Sequence, residues 1–317
     1  MTKISDSSFG AVVSEGVSER LVAANGLNFR VLEAGSGDDL ALCLHGFPEC
    51  AHSWLGQLPA LAKQGFRAWA PDLRGYGQTT RPPAREDYAL EKLLADVDGL
   101  IESAGAYGRT TLIGHDWGAI IAWLYATRRP GALARLATMN VPHPGCFKRQ
   151  FSLRQFARSW YAIAFQVPGL VERVLGDDGR WVQRMFERTS SGMSSSHIDD
   201  AVVEACVASA ATPGAVTAMV NYYRAMIRGG GARRQEELGY PKIEIPTLSI
   251  WGEQDVALTK RVSFGQAHYA PALVQRYVPQ ASHWVQHDEP ELVNEMLRAW
   301  IAGEAVPHAE GATGDIG

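Results

Sequence analysis

Cysteine is scarce in this chain. Cys43, Cys50, Cys146 and Cys206 are its four cysteines among 317 residues, and no two form a C-x-x-C pair. That scatter argues against a disulfide framework or a cysteine-built metal cage. Cys43, inside the apolar run Leu40–Leu44, reads as a buried core thiol, and a reduced, cytoplasmic protein is the expectation. An excess of one charge is missing too. The formal net charge of −4 gives no reason to expect nucleic acid or an acidic membrane surface as a partner. No apolar run approaches the roughly 18 residues of a membrane span, so stable membrane insertion is not expected. The opening MTKISDSSFG lacks the apolar stretch of a secretory signal. No internal repeat is present. With 46% hydrophobic and 20% charged residues, the chain reads as globular, with length enough for a large core.

Residues 1–16 are polar and read as loose. From Val17 two strand-like runs are joined at Asn25-Gly26, a two-residue hairpin signal. Short apolar runs at 40–44, 66–70, 110–113 and 133–139 then alternate with helical stretches at 90–103 and 119–128, which indicates a parallel sheet covered on both faces. The alternation stops at Val141-Pro142-His143-Pro144, and the following hundred residues or so are helical in character. Strand-like runs return at 247–251 and 274–278, and a last helix over 291–301 carries one apolar face. The economical reading is an α/β core over 17–140 and 241–303, a helical cap over 141–240 inserted between two of its strands, and a disordered tail over 304–317.

Gly114-His115-Asp116-Trp117-Gly118 follows the run at 110–113 and has the small-x-nucleophile-x-small form of a strand-to-helix elbow. The two glycines suit a turn too tight for side chains beside the nucleophile. The lifted residue here is a carboxylate. With an ordinary pKa of about 3.9 it is ionised at neutral pH and needs no base before attacking a saturated carbon to form an alkyl ester. The bland alternative is an aspartate that caps the helix.

Together with His45-Gly46-Phe47-Pro48-Glu49, Pro71-Asp72-Leu73-Arg74-Gly75-Tyr76-Gly77, Asn221-Tyr222-Tyr223-Arg224, Asp255 and His283, this elbow resembles the epoxide hydrolases of the α/β-hydrolase superfamily from Leu21 to about Trp300. The resemblance implies an α/β-hydrolase fold with a mostly parallel sheet and an inserted cap. It also implies a reaction turning an apolar epoxide and water into a vicinal diol, without cofactor or metal. Carried over, the oxyanion-hole amides are the backbone N–H groups of Phe47 and Trp117. His45 reads as a loop histidine held by hydrogen bonds.

After the cap, Asp255 and then His283 each follow a strand-like run, in the chain order of nucleophile, acid and histidine. His283, with an ordinary pKa of about 6.5, suits a base for the hydrolytic water, and Asp255 suits the group that orients its ring. Glu253 competes with Asp255, but the family match places the acid at 255. His287, beside Asp288-Glu289-Pro290, reads as exposed. The segment after Met139 offers Asn140 where some relatives have the acid, which supports Asp255.

Attack by Asp116 from below needs help for the epoxide oxygen from above. A phenol with a pKa of about 10 is a stronger acid than water, at about 15.7, by roughly five units, or about 7 kcal/mol. The cap offers Tyr161, Tyr222 and Tyr223; all three could also be packed aromatics. The resemblance selects Tyr161 and Tyr223 as the ring-opening pair and leaves Tyr222 a packing position. Trp117, Phe47, Trp160 and Phe165 are the expected substrate-lining residues, with Trp181 a further aromatic of the cap. Haloalkane and haloacid dehalogenases share the aspartate elbow. Phe47 stands where the former often carry an asparagine, and Trp117 where the fluoroacetate enzymes carry an arginine. A non-catalytic ligand-binding member of the fold is the remaining rival, and a homodimer is left open.

Overall fold

The computed structural model describes residues 12–176, 178–190 and 198–312. Nine strands among them form one sheet: β1 (Val12–Ser14), β2 (Val17–Ala24), β3 (Leu27–Ala34), β4 (Leu40–Leu44), β5 (Arg67–Pro71), β6 (Thr110–His115), β7 (Leu133–Met139), β8 (Thr247–Gly252) and β9 (Leu273–Val278). Their order is β1-β2-β3-β5-β4-β6-β7-β8-β9. The first three pairings, up to β3–β5, are antiparallel, and every pairing from β5–β4 onward is parallel. Asn25 (φ 47°) and Gly26 (φ 72°) make the hairpin between β2 and β3, as the Asn-Gly pair requires. β1, within the stretch read as loose, is a strand that pairs with β2; residues 1–11 lie outside the described part.

Among the described residues thirteen α-helices accompany the sheet. Those of the core are α1 (Leu58–Lys63), α2 (Leu90–Ala104) and α3 (Trp117–Arg128), then α12 (Val285–Asp288) and α13 (Pro290–Ile301) near the end. Between β7 and β8 lie α4 (Pro144–Gln150), α5 (Leu153–Arg158), α6 (Trp160–Ala164), α7 (Leu170–Leu175), α8 (Arg180–Ser190), α9 (Asp200–Ala210), α10 (Ala215–Ile227) and α11 (Gly231–Glu237).

The central strands are buried along their whole length, so their side chains sort by alternation rather than by polarity. Leu40, Leu42, Leu44, Leu112 and Leu136 join the core that includes α2, α3 and residues of α6–α10. Ala41, Cys43, Ile113 and Ala137 join the core beneath α1 and α13. Burial pushes the Cys43 thiol well up, as for an inert core group. α2 presents Leu90, Leu93, Leu94, Val97, Leu100 and Ile101 inward at helical spacing and stops at Gly105, whose φ of 63° a side chain would disfavour.

Residues 304–312 differ from the disordered tail expected of them. Val306 and Ala309 are buried, and the Arg276 guanidinium on β9 donates to the carbonyls of Val306 and Pro307. Residues 313–317 lie outside the described part. No single helix among the described residues is long and apolar enough to cross a membrane.

Candidate active site

The carboxyl ends of four parallel strands converge: β4 runs into Phe47, β6 into Asp116, β8 into Asp255 and β9 into His283. The chain is tight where they meet. A Cβ on Gly114 would come within 2.4 Å of the Gly118 carbonyl, one on Gly118 within 2.0 Å of the Leu44 carbonyl, and one on Gly46 within 2.3 Å of the Asp116 Cβ. Asp116 itself has φ 47°, a conformation that side chains rarely adopt. It stands at the start of α3, yet its side chain makes no capping hydrogen bond. Instead Oδ1 accepts the Phe47 backbone N–H at 2.7 Å, and Oδ2 lies 3.6 Å from His283 Nε2. Asp116 is not a helix cap.

His283 Nδ1–H donates to Asp255 Oδ2 at 2.7 Å. The Asp255 carboxylate is held on every side: Oδ2 also accepts from the Asn140 amide at 2.8 Å, and Oδ1 accepts the N–H groups of Ala257 and Leu258 at 2.7 and 2.8 Å. Burial acts against the His283 cation, but the charges and hydrogen bonds of Asp255 and Asp116 outweigh it and hold the imidazole well above its ordinary pKa. Burial likewise acts against the Asp116 anion, and the hydrogen bond and charge of His283 overcome it, leaving Asp116 below the usual carboxylate range. Each group thus depends on the other's charge.

Over this carboxylate lie aromatic side chains from α6 and α10. Tyr223 packs edge-on against Phe47 (5.6 Å between centroids), Trp117 (5.0 Å) and Phe165 (5.0 Å), and its ring centroid is 6.0 Å from that of Tyr161. Trp181 stacks on Phe47 at 5.6 Å. Burial raises both phenols, and the negative charge of Asp116 raises them further. They therefore keep their protons, and the free-phenol margin of about 7 kcal/mol is narrowed. Tyr222 points elsewhere and donates to the Arg74 carbonyl at 2.8 Å.

Trp160 does not line this space. It is 66% exposed on the outer side of α6. His287 is not exposed as its neighbours suggest: its side chain is buried and its Nε2 meets Glu49 Oε1 at 3.1 Å. Glu253 pairs with Lys260, away from His283. His45 is fixed by its loop, with Nδ1–H donating to the Gly46 carbonyl and Nε2 accepting the Leu73 N–H, so no ring position is spare.

The sequence reading named Glu49 and Asn140 but not the hydrogen bonds that each makes. The buried Glu49 carboxylate accepts from the Gly46 N–H (3.0 Å), His115 Nδ1 (2.7 Å) and Gln286 (3.0 Å), while His115 Nε2 meets the His283 carbonyl at 2.8 Å. Burial works against Glu49's charge, but the two histidines hold it well below its ordinary pKa. This network ties the Phe47 loop, the elbow and the His283 loop together from behind. Its only signal in the chain was the glutamate closing the HGFPE segment.

Fold and site together define an α/β hydrolase with an aspartate at the elbow. Residues 41–290 match the alpha/beta hydrolase fold family. Epoxide hydrolase 4 of Mus musculus is 34% identical over 292 residues, spanning 88% of this chain and 78% of its own. Epoxide hydrolase A of Mycobacterium tuberculosis is 31% identical over 321 residues, spanning 90% of this chain and 98% of its own. Among solved structures, epoxide hydrolase A from Mycobacterium thermoresistibile is 30% identical with a TM-score of 0.76, covering 92% of this chain and 100% of that one. The chain belongs to the epoxide hydrolases of the alpha/beta hydrolase fold family.

Proposed function

We propose that this chain converts an apolar epoxide and water into a vicinal diol through an ester on Asp116. The observation that carries the proposal is the Asp116 carboxylate itself. It is half-buried, held below the usual carboxylate range by His283 and free of any capping duty, with a backbone N–H on one oxygen and a histidine beside the other. The anionic oxygen attacks an epoxide carbon from the side opposite the ring oxygen. The carbon–oxygen bond breaks, its electron pair moves to that oxygen, and Tyr161 and Tyr223 support it from above with hydrogen bonds and a proton.

Ester formation removes the negative charge of Asp116. His283 thereby loses one of the two anions that raise its pKa, gives its proton up to the phenolate left by ring opening and can accept one from water. Asp255 keeps the ring oriented. The hydroxide adds to the ester carbonyl, the resulting oxyanion lies at the Phe47 and Trp117 N–H groups, and the acyl–oxygen bond breaks as the departing alkoxide takes the proton from His283. That frees the diol and leaves Asp116 to hand its own proton back to His283. Each N–H donor in such a hole contributes about 2.7–4 kcal/mol.

Apolar epoxides and the matching haloalkanes, assayed side by side for diol and for halide, test the reading. Diol from epoxides with negligible halide is the expected outcome, with Tyr223→Phe slowing ring opening about 100-fold. Halide release without diol formation would overturn it.

A further inference from the structure

The exposed side of the α5–α6 segment is apolar where a surface helix should be polar. Leu153, Phe156, Trp160, Ile163 and Val167 are 88%, 51%, 66%, 53% and 45% exposed. Their spacing alternates three and four residues, and the backbone is nearly continuous there, with Ser159 N–H bonded to the Gln155 carbonyl and Phe165 N–H to that of Tyr161. They therefore lie along one stripe. The opposite side of the same segment holds the buried Gln155, Phe165 and Gln166. The apolar residues that hydrophobic periodicity assigns to a buried face here face solvent, and an exposed apolar stripe of this length marks a contact surface.

Charge says what it contacts. Between Asp116 and Glu172 the chain has no acidic residue, while Arg149 and Arg154, both exposed, flank the start of the stripe, and Lys148 beside them pairs with Glu236 of α11. The overall net charge of −4 conceals this local excess. An exposed tryptophan, aliphatic and phenyl groups on one side and arginines beside them are the composition of a helix lying in a lipid–water interface. A second copy docked by a two-fold axis running along the stripe would set the same basic rim against itself, which like charges oppose.

We propose that the outer face of α5 and α6 adsorbs to an anionic phospholipid surface, with the stripe among the acyl chains and Arg149 and Arg154 at the phosphates. This is a peripheral contact with no spanning segment, and it is independent of the reaction assigned to Asp116.

Flotation of the full chain with vesicles tests it. Binding to equimolar phosphatidylcholine–phosphatidylglycerol vesicles, weak binding to phosphatidylcholine alone and loss at high salt are expected. The triple variant Leu153→Ser, Phe156→Ser, Ile163→Ser should bind about tenfold or more weakly, and Arg149→Gln with Arg154→Gln should remove the preference for anionic lipid. Because these side chains are exposed, both variants should keep the parent's melting temperature and turnover of a water-soluble substrate. A parent that fails to float with either vesicle, or a folded triple variant that floats like the parent, overturns the proposal. So does a parent that ignores vesicles but forms dimers the triple variant cannot form, which would assign the stripe to a second copy.

Discussion

Asp116 and His283 hold each other in their charged forms, and several consequences follow from that pairing. In Asp116→Asn the His283 ring loses an anion, so its pKa, followed by the ring-proton shifts in NMR, should fall relative to the parent; an unchanged value would break the coupling. In His283→Gln the ester should form but not hydrolyse, and the Asp116 peptide should carry the substrate's mass after digestion. Asn140 acts one step further out. Its amide bonds to Asp255 and it accepts the Gly252 N–H through Oδ1, from a backbone with φ 53°. Asn140→Ala should lower turnover by roughly 10–100-fold, the 1.5–3 kcal/mol of a hydrogen bond to a charged group, with little change in KM. The tight turn at Asp116 was legible because its two glycines and the aspartate are neighbours in the chain. Asn140 was not, since its role comes from partners on β8 and the His283 loop that only folding brings near.

At the scale of elements, the Pro71–Gly77 turn is held by a buried ionic cluster. Arg30 on β3 donates to Glu19 at 2.8 Å and to Asp72 at 3.4 Å, and Asp72 also accepts the N–H groups of Ala51 and Gln78. Removing one member of a buried pair leaves the others uncompensated, so Arg30→Met should destabilise the protein by about 3–5 kcal/mol in denaturant titration. Burial works against the Asp72 anion, yet Arg30 and the backbone donors hold its pKa below the ordinary value. The stability this adds is present above the unfolded pKa of about 3.9 and disappears as pH falls through the lower folded value. Without Arg30 the folded pKa rises, and the acid-unfolding midpoint should move to higher pH. The central strands and α2 were readable from periodicity and turn residues. Which side of α6 is covered was not. An apolar stripe in the chain reads as buried, and only the packing of α6 reveals that Tyr161 faces inward while Trp160 faces out. His287 misled for a similar reason, because its acidic neighbours suggest solvent and its partner Glu49 lies on the far side of the sequence.

Across the whole molecule, the helices between β7 and β8 are fastened to the sheet at several points. Tyr222 bonds to the Arg74 carbonyl, Arg158 donates to the Asp255 carbonyl at 2.6 Å, and the Trp284 indole donates to Thr189 at 2.7 Å. Tyr222→Phe should cost about 1–3 kcal/mol of stability by leaving a buried carbonyl unpaired, while turnover stays near the parent's. Tyr223→Phe should do the reverse. The sequence carries two periodicities, strands alternating with helices and then helices alone, and the observed elements follow that order. How the two parts meet depends on single hydrogen bonds that no local pattern announces. Where they meet, Asp116 is to take the substrate onto its own oxygen, and one experiment addresses that claim directly: a single turnover of an epoxide by excess enzyme in heavy-oxygen water. The diol should emerge unlabelled, with the heavy oxygen in the carboxylate of Asp116. A labelled diol and an unlabelled Asp116 would mean that water attacks the epoxide itself.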